Sequence, residues 1–144
     1  MSEILRIEMD GPVAHLILNR PEKRNALSAE LVEHMYQAML SLNANDSLRV
    51  VVIRSAEKPF CAGADLGYLT QLRSNTLEEN EADSQRLRQL FDAIYLSPKY
   101  IISQVEGPAL AGGCGLATLA DCCVATPDAT FGYTEVKIGF VPAL

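Results

Sequence analysis

The sequence predicts an α/β fold built on a largely parallel sheet. Three observations carry that reading. Strand-length apolar runs alternate along the chain with segments of helical period, the order expected of strands joined through helices. The run "RVVVIRS" is nearly continuous in its apolar residues, as in a strand covered on both faces. The stretch "ALAGGCGLA" (109–117), almost bare of side chains, falls where a strand ends and a helix should begin, and open α/β sheets bind ligands at such junctions. The 144 residues make a single domain, 1–144.

The elements follow in order. "ILRIEMD", "GP" and "VAHLILN" read as strand, turn and strand, a hairpin that holds His15 as a strand side chain. Pro21 breaks the second strand. Ser28 is a helix cap with Glu30 in the first turn. Leu31, Met35, Ala38 and Leu42 then recur at helical spacing on one buried face, with Met39 as core filler, His34 half-exposed and "NAND" at the end. After "RVVVIRS", the segment "AEKPFCAGADLGYL" is a loop that turns into a helix. "TLEENEADSQRLRQLFDAIYLS" is a second long helix, acidic and solvated in its first half, with Leu87, Leu90, Phe91 and Ile94 as its apolar stripe. "KYIISQVEG" is another apolar strand, and the glycine run with "LATLADCC" forms a helix leading into the strand "CCVAT". "PDATFGYTEVKIGFVPAL" shows no long helical pattern and stops inside apolar sequence, as an incomplete copy of a longer domain would.

Composition narrows the function classes. Twelve basic against 18 acidic residues give a net charge of -6, which argues against a nucleic-acid surface. A small phosphorylated ligand needs only local positive charge and stays open. Cys61, Cys114, Cys122 and Cys123 offer no CxxC pair, so no metal site is expected. Adjacent Cys122 and Cys123 suit a buried strand, and the absence of a signal peptide points to reduced thiols and a cytoplasmic location. No apolar run approaches the ~20 residues of a membrane span.

Two loops share a form: "FCAGADL" after "RVVVIRS", and "ALAGGCGLA" after "YIISQVE". Free backbone N–H groups at a helix start hold negative charge, and two of them from two loops can converge on one oxygen as an oxyanion hole. Close helix–sheet packing is the alternative use of the same small residues. Neither loop has the spacing of a dinucleotide or P-loop motif, and "GGCGL" has Cys114 where a serine elbow has its nucleophile. Such a hole needs a proton carrier, and the best carboxylate is Glu135 in "FGYTEVKIG". Burial among aromatic and apolar residues would raise its pKa towards a useful acid or base; otherwise it is a surface glutamate paired with Lys137.

"NRPEKRNAL", "FCAGADL", "GPALAGGCGLATLADC" and "ATFGYTEVKIGFVP", in that order, resemble the enoyl-CoA hydratase/isomerase, or crotonase, family over essentially the whole chain. The resemblance implies a crotonase-like core of repeated β-β-α units, truncated before a C-terminal helical region that completes the acyl pocket and helps build trimers. It implies oxyanion N–H groups at Ala64 and Gly112, and Ala62 and Ala64 along the coenzyme's pantetheine arm. Lys23 and Arg24 would meet its adenine and phosphates. Leu66 and Tyr133 fall at the substrate pocket, with core packing as the alternative for Tyr133. Coenzyme A enters as part of a thioester substrate, with no prosthetic group, and the complete protein is expected as a homotrimer or dimer of trimers. Glu135 aligns with the second of the family's two catalytic glutamates, while Gly115 stands where the first should be. Glu135 must then serve as both base and acid, or another residue must help. The expected activity is an enoyl-CoA hydratase working through an enolate, similar to members assigned to 3-methylglutaconyl-CoA hydration in leucine breakdown. A double-bond isomerase, a CoA-ester decarboxylase or hydrolase, and a degenerate acyl-CoA-binding or assembly protein are the alternatives.

Overall fold

A computed structural model describes residues 4–139 and 141, the side chains of residues 66, 68, 72 and 138 excepted. The strands are β1 (Leu5–Asp10), β2 (Val13–Leu18), β3 (Val50–Ser55), β4 (Tyr100–Val105), β5 (Pro108–Leu110), β6 (Cys122–Ala125) and β7 (Thr130–Gly132). The helices are α1 (Ala29–Ala44), α2 (Leu66–Leu72), α3 (Leu77–Tyr95) and α4 (Gly112–Thr118). One five-stranded sheet runs β1-β2-β3-β4-β6. Its first pair is the expected antiparallel hairpin, and every later pair is parallel. Strands β5 and β7 form a second, two-stranded parallel sheet, which the sequence reading leaves inside the glycine run and the tail.

Alternation puts Ala14, Leu16, Leu18, Val51, Ile53, Ile101 and Val105 on one face of the large sheet. Against them pack Leu31, Met35, Met39 and Leu42 from α1 and Leu90, Phe91 and Ile94 from α3, as their helical spacing predicts. Each such side chain contributes about 1.5–3 kcal/mol by leaving water. Ser28 accepts from the Leu31 N–H at 3.2 Å and starts α1 as expected. Thr76 and Glu79 form a reciprocal capping box at the start of α3, with the Thr76 N–H donating to Glu79 Oε2 at 2.7 Å.

One expectation needs correction. Cys122 and Cys123 do lie on a strand, but Cys122 is only half-buried and Cys123 is exposed. The reason is position: among the described residues β6 is the last strand in the sheet order, and it is exposed from Cys123 to Ala125. All four cysteines are free thiols.

Candidate active site

The site grows from the loop after β3. Residues 61–65 lie between two pieces of chain, and backbone bonds hold them to both. On one side, Cys61 N–H donates to Pro108 O (3.2 Å) and Leu110 N–H donates to Cys61 O (2.9 Å), which stitches the loop to β5. On the other, Ala62 N–H donates to Arg24 O (3.0 Å), Leu27 N–H to Gly63 O (2.7 Å) and Asp65 N–H to Leu27 O (3.1 Å). Ala64 N–H has no hydrogen-bond partner among the described residues. Its direction still follows. A trans peptide points its C=O and N–H in opposite directions, and the carbonyl of this unit belongs to Gly63. Because Gly63 O is taken by Leu27, the Ala64 N–H is aimed away from residue 27, at a position where Ala64 is exposed.

The second amide is set the same way. Ala111 O accepts from Cys114 N–H (2.9 Å) and Gly115 N–H (3.2 Å), so the Gly112 N–H in that peptide unit points back out of the start of α4. It too has no partner among the described residues. Ala111 holds φ 52°, ψ -126°, a conformation that costs an alanine on the order of 1–3 kcal/mol, and its own N–H is tied to Gly132 O at 2.7 Å.

Glycines bring the two loops into contact. A Cβ on Gly63 would lie 2.8 Å from Ala111 Cβ and 2.9 Å from Leu110 O, and Gly63 has φ 90°. A Cβ on Gly113 would lie 2.3 Å from Cys61 O. The small residues of both loops are therefore interlocked, and Gly63 N-terminal to Ala64 abuts Ala111 N-terminal to Gly112. Cys61 is fully buried in this contact, and burial pushes its thiol up to about 11, so it stays protonated and inert.

A polar cluster absent from the sequence reading sits beneath the loop. Arg20 Nη1 donates to Asp65 Oδ2 at 2.9 Å and to Ala26 O at 3.0 Å. Asn25, 1% exposed, donates to Pro59 O (3.0 Å) and Phe60 O (3.2 Å) and accepts from the Arg20 N–H (2.7 Å). Asp65 Oδ1 accepts from Gly67 N–H at 2.8 Å and so caps α2. An Asp before an apolar helical segment was a readable signal for that cap; its ion pair across 45 residues was not.

Lys23 and Arg24 are exposed at the end of a 3-10 turn (Pro21–Lys23), next to the Arg24–Ala62 backbone bond. Glu135 opens a 3-10 turn (Glu135–Ile138) just after β7, three residues beyond the Gly132 that holds Ala111. It is half-buried, and its Oε2 is shielded from solvent with no hydrogen-bond partner among the described residues. No ion pair joins it to Lys137 among those residues. Tyr133 turns its hydroxyl to Thr118 Oγ1 at 3.3 Å, at the far end of α4, about 9 Å of helix from Gly112. The side chain of Leu66 lies outside the described residues. No group of His, Cys, Asp or Glu among the described residues is arranged to hold a metal ion, and no described helix is long and apolar enough to cross a membrane.

Known proteins similar to the chain fall in one family. Residues 8–144 match the model of the enoyl-CoA hydratase/isomerase family. A Thermus thermophilus protein provisionally named an enoyl-CoA hydratase is 46% identical over 134 residues, covering 93% of this chain and 53% of the relative. The peroxisomal Delta(3,5)-Delta(2,4)-dienoyl-CoA isomerase of Arabidopsis thaliana is 32% identical over 151 residues, covering 99% of this chain and 54% of the relative. A crystal structure from Legionella pneumophila, provisionally described as an enoyl-CoA hydratase/isomerase (crotonase), superposes with a TM-score of 0.94 at 38% identity, over 98% of this chain and 54% of that one. The chain thus spans about half the length of the relatives it matches.

Proposed function

The chain belongs to the enoyl-CoA hydratase/isomerase family, and we propose that the protein carrying it hydrates an enoyl-CoA thioester through an enolate. One observation supports this most: two backbone amides, at Ala64 and Gly112, project from interlocked loops with their partner carbonyls already bonded elsewhere. Donors held in that way stabilise charge on a thioester oxygen without reorganising as the charge appears.

The chemistry then runs through Glu135. Its carboxylate takes a proton from water as the water oxygen bonds to C3 of the enoyl group. The double-bond electrons move onto the thioester, and the enolate oxygen rests against the two amides. Glu135 returns the proton to C2. With Gly115 in place of a second acid, one carboxylate carries both transfers. The shielded Oε2, with no hydrogen-bond partner among the described residues, suits a group whose partner is a substrate or water. Lys23 and Arg24 meet the phosphates of coenzyme A, and Ala62 lies along the pantetheine arm between them and Ala64. We propose 3-methylglutaconyl-CoA as the acyl substrate.

A panel of crotonyl-CoA, 3-methylglutaconyl-CoA and a 3-enoyl-CoA, with products resolved on the full-length protein, tests the reading. A 3-hydroxyacyl product supports hydration; no turnover of any enoyl ester rejects it. Gly115 favours one second reading, the double-bond isomerase, because moving a proton between two carbons needs only one carboxylate, and an isomerase stands among the relatives. A shifted double bond without added water would select it.

A further inference from the structure

The loop that presents Ala64 is anchored from a distance. Residues 62, 63 and 65 are each bonded to the stretch 24–27, so the direction of the Ala64 N–H is inherited from where 24–27 lies. That stretch is itself unusual. Arg24 and Asn25 both have positive φ, 53° and 51°, conformations that non-glycine residues keep only when their surroundings hold them. The surroundings here are one set of polar bonds. Arg20 holds Asn25 Oδ1 through its backbone N–H and Ala26 O through its guanidinium. Asn25 spends both amide hydrogens on Pro59 and Phe60, at the entrance to the loop. Arg20 reaches across to Asp65, the residue directly after Ala64.

We propose that Arg20, Asn25 and Asp65 are positioning residues for the Ala64 amide; the assignment rests on the reaction proposed above. Stability alone is a weak reason for this cluster. The Arg20 and Asp65 side chains are only 16% and 14% exposed, and an ion pair so far out of water contributes little more than well-packed apolar residues would. What it adds is direction. Arg20 and Asn25 each bond two separate segments, and Asp65 ties the start of α2 to Arg20 and, through its own N–H, to Leu27 O, so the cluster specifies the angle of the 63–64 peptide as well as its place.

Asp65→Asn in the full-length protein is the test. It keeps an oxygen for Gly67 and removes the charge that Arg20 meets. We expect kcat, measured well below the variant's Tm, to fall on the order of 100-fold, the cost of losing one oxyanion donor. KM should move by less than about 3-fold, because the loss is confined to the transition state. Arg20→Lys keeps the charge but gives up the reach and the fixed donor directions with which Nη1 meets both Ala26 O and Asp65 Oδ2, so its kcat should fall between wild type and Asp65→Asn. A spectroscopic arm uses crotonyl-CoA bound to Glu135→Gln, where the thioester carbonyl stretch should move to lower frequency than in free crotonyl-CoA, and adding Asp65→Asn should return it towards the free value. A folded Asp65→Asn with wild-type kcat, or an unmoved carbonyl band in the double variant, overturns the positioning role alone. No shift in Glu135→Gln itself overturns the amide pair and this proposal with it. Should Asp65→Asn fail to fold, Arg20→Lys and its effect on the carbonyl band decide the matter in the same two directions.

Discussion

Gly113→Ala should damage both stability and turnover, and its size can be worked from the contact it makes. The new Cβ would lie 2.3 Å from Cys61 O and 2.8 Å from both the carbonyl carbon and Cβ of Cys61, where ordinary contact begins at 3.4 Å. The obstacle is backbone and cannot rotate aside, so one loop must recede by about 1 Å from the other. That motion pulls on the two bonds joining Cys61 to β5, at 2.9 and 3.2 Å. Their loss costs about 1 kcal/mol each, and strain of the overpacked contact about 1–3 kcal/mol. Alanine's better helix propensity returns only about 1 kcal/mol in α4. The clash wins, leaving a net loss of about 2–4 kcal/mol. The same displacement carries Ala64 N–H out of place, and a 1 Å error at a reacting centre costs about 100-fold in rate. Urea unfolding of the full-length variant reads the first quantity and steady-state kcat on crotonyl-CoA the second. A variant with the wild-type urea midpoint and an unchanged kcat would show that the loops are not interlocked, and the paired-amide argument would fail with them.

Other outcomes follow from the same geometry. Glu135→Gln should lower kcat by about 10²–10⁴-fold while acyl-CoA affinity, measured by calorimetry, stays near wild type; unchanged turnover would remove Glu135 from the reaction. In the native protein, an alkylating reagent at neutral pH should modify Cys123 and spare Cys61, as mass spectrometry of the digested product would reveal; early labelling of Cys61 would contradict its burial. The hydrogen bond from the Lys58 ammonium holds the Asp128 carboxyl at about 2 against its ordinary 3.8. Its folded pKa is lowered, so its contribution to stability is complete above 3.8 and disappears as pH falls towards 2. Both side chains are more than half exposed, so the effect is small: Asp128→Asn should slightly flatten the acid limb of urea midpoint against pH and leave neutral stability nearly unchanged.

The helices and long strands were legible because their information is local. The apolar spacing of Leu31, Met35, Ala38 and Leu42, the Ser28 cap and the run "RVVVIRS" each state their role within a few residues, and the structure keeps all of them. Strands β5 and β7 were not legible. Each has three residues, too few for a period, and each exists because the other lies alongside. The burial of Cys123 was misread for a related reason: a strand's residues do not say whether it will stand at the edge of its sheet.

At the site, residue identities alone were enough to nominate Glu135 and the two glycine-alanine loops, because small side chains and a solitary acid in apolar surroundings are chemical facts of the chain. Only the tertiary structure decided where the two amides point. A peptide N–H takes its direction from whatever holds the carbonyl across the same plane, and for Ala64 that partner is Leu27, 37 residues earlier, itself steadied by an arginine paired with Asp65. Orientation of that kind belongs to contacts between distant segments, and no local pattern of side chains encodes it.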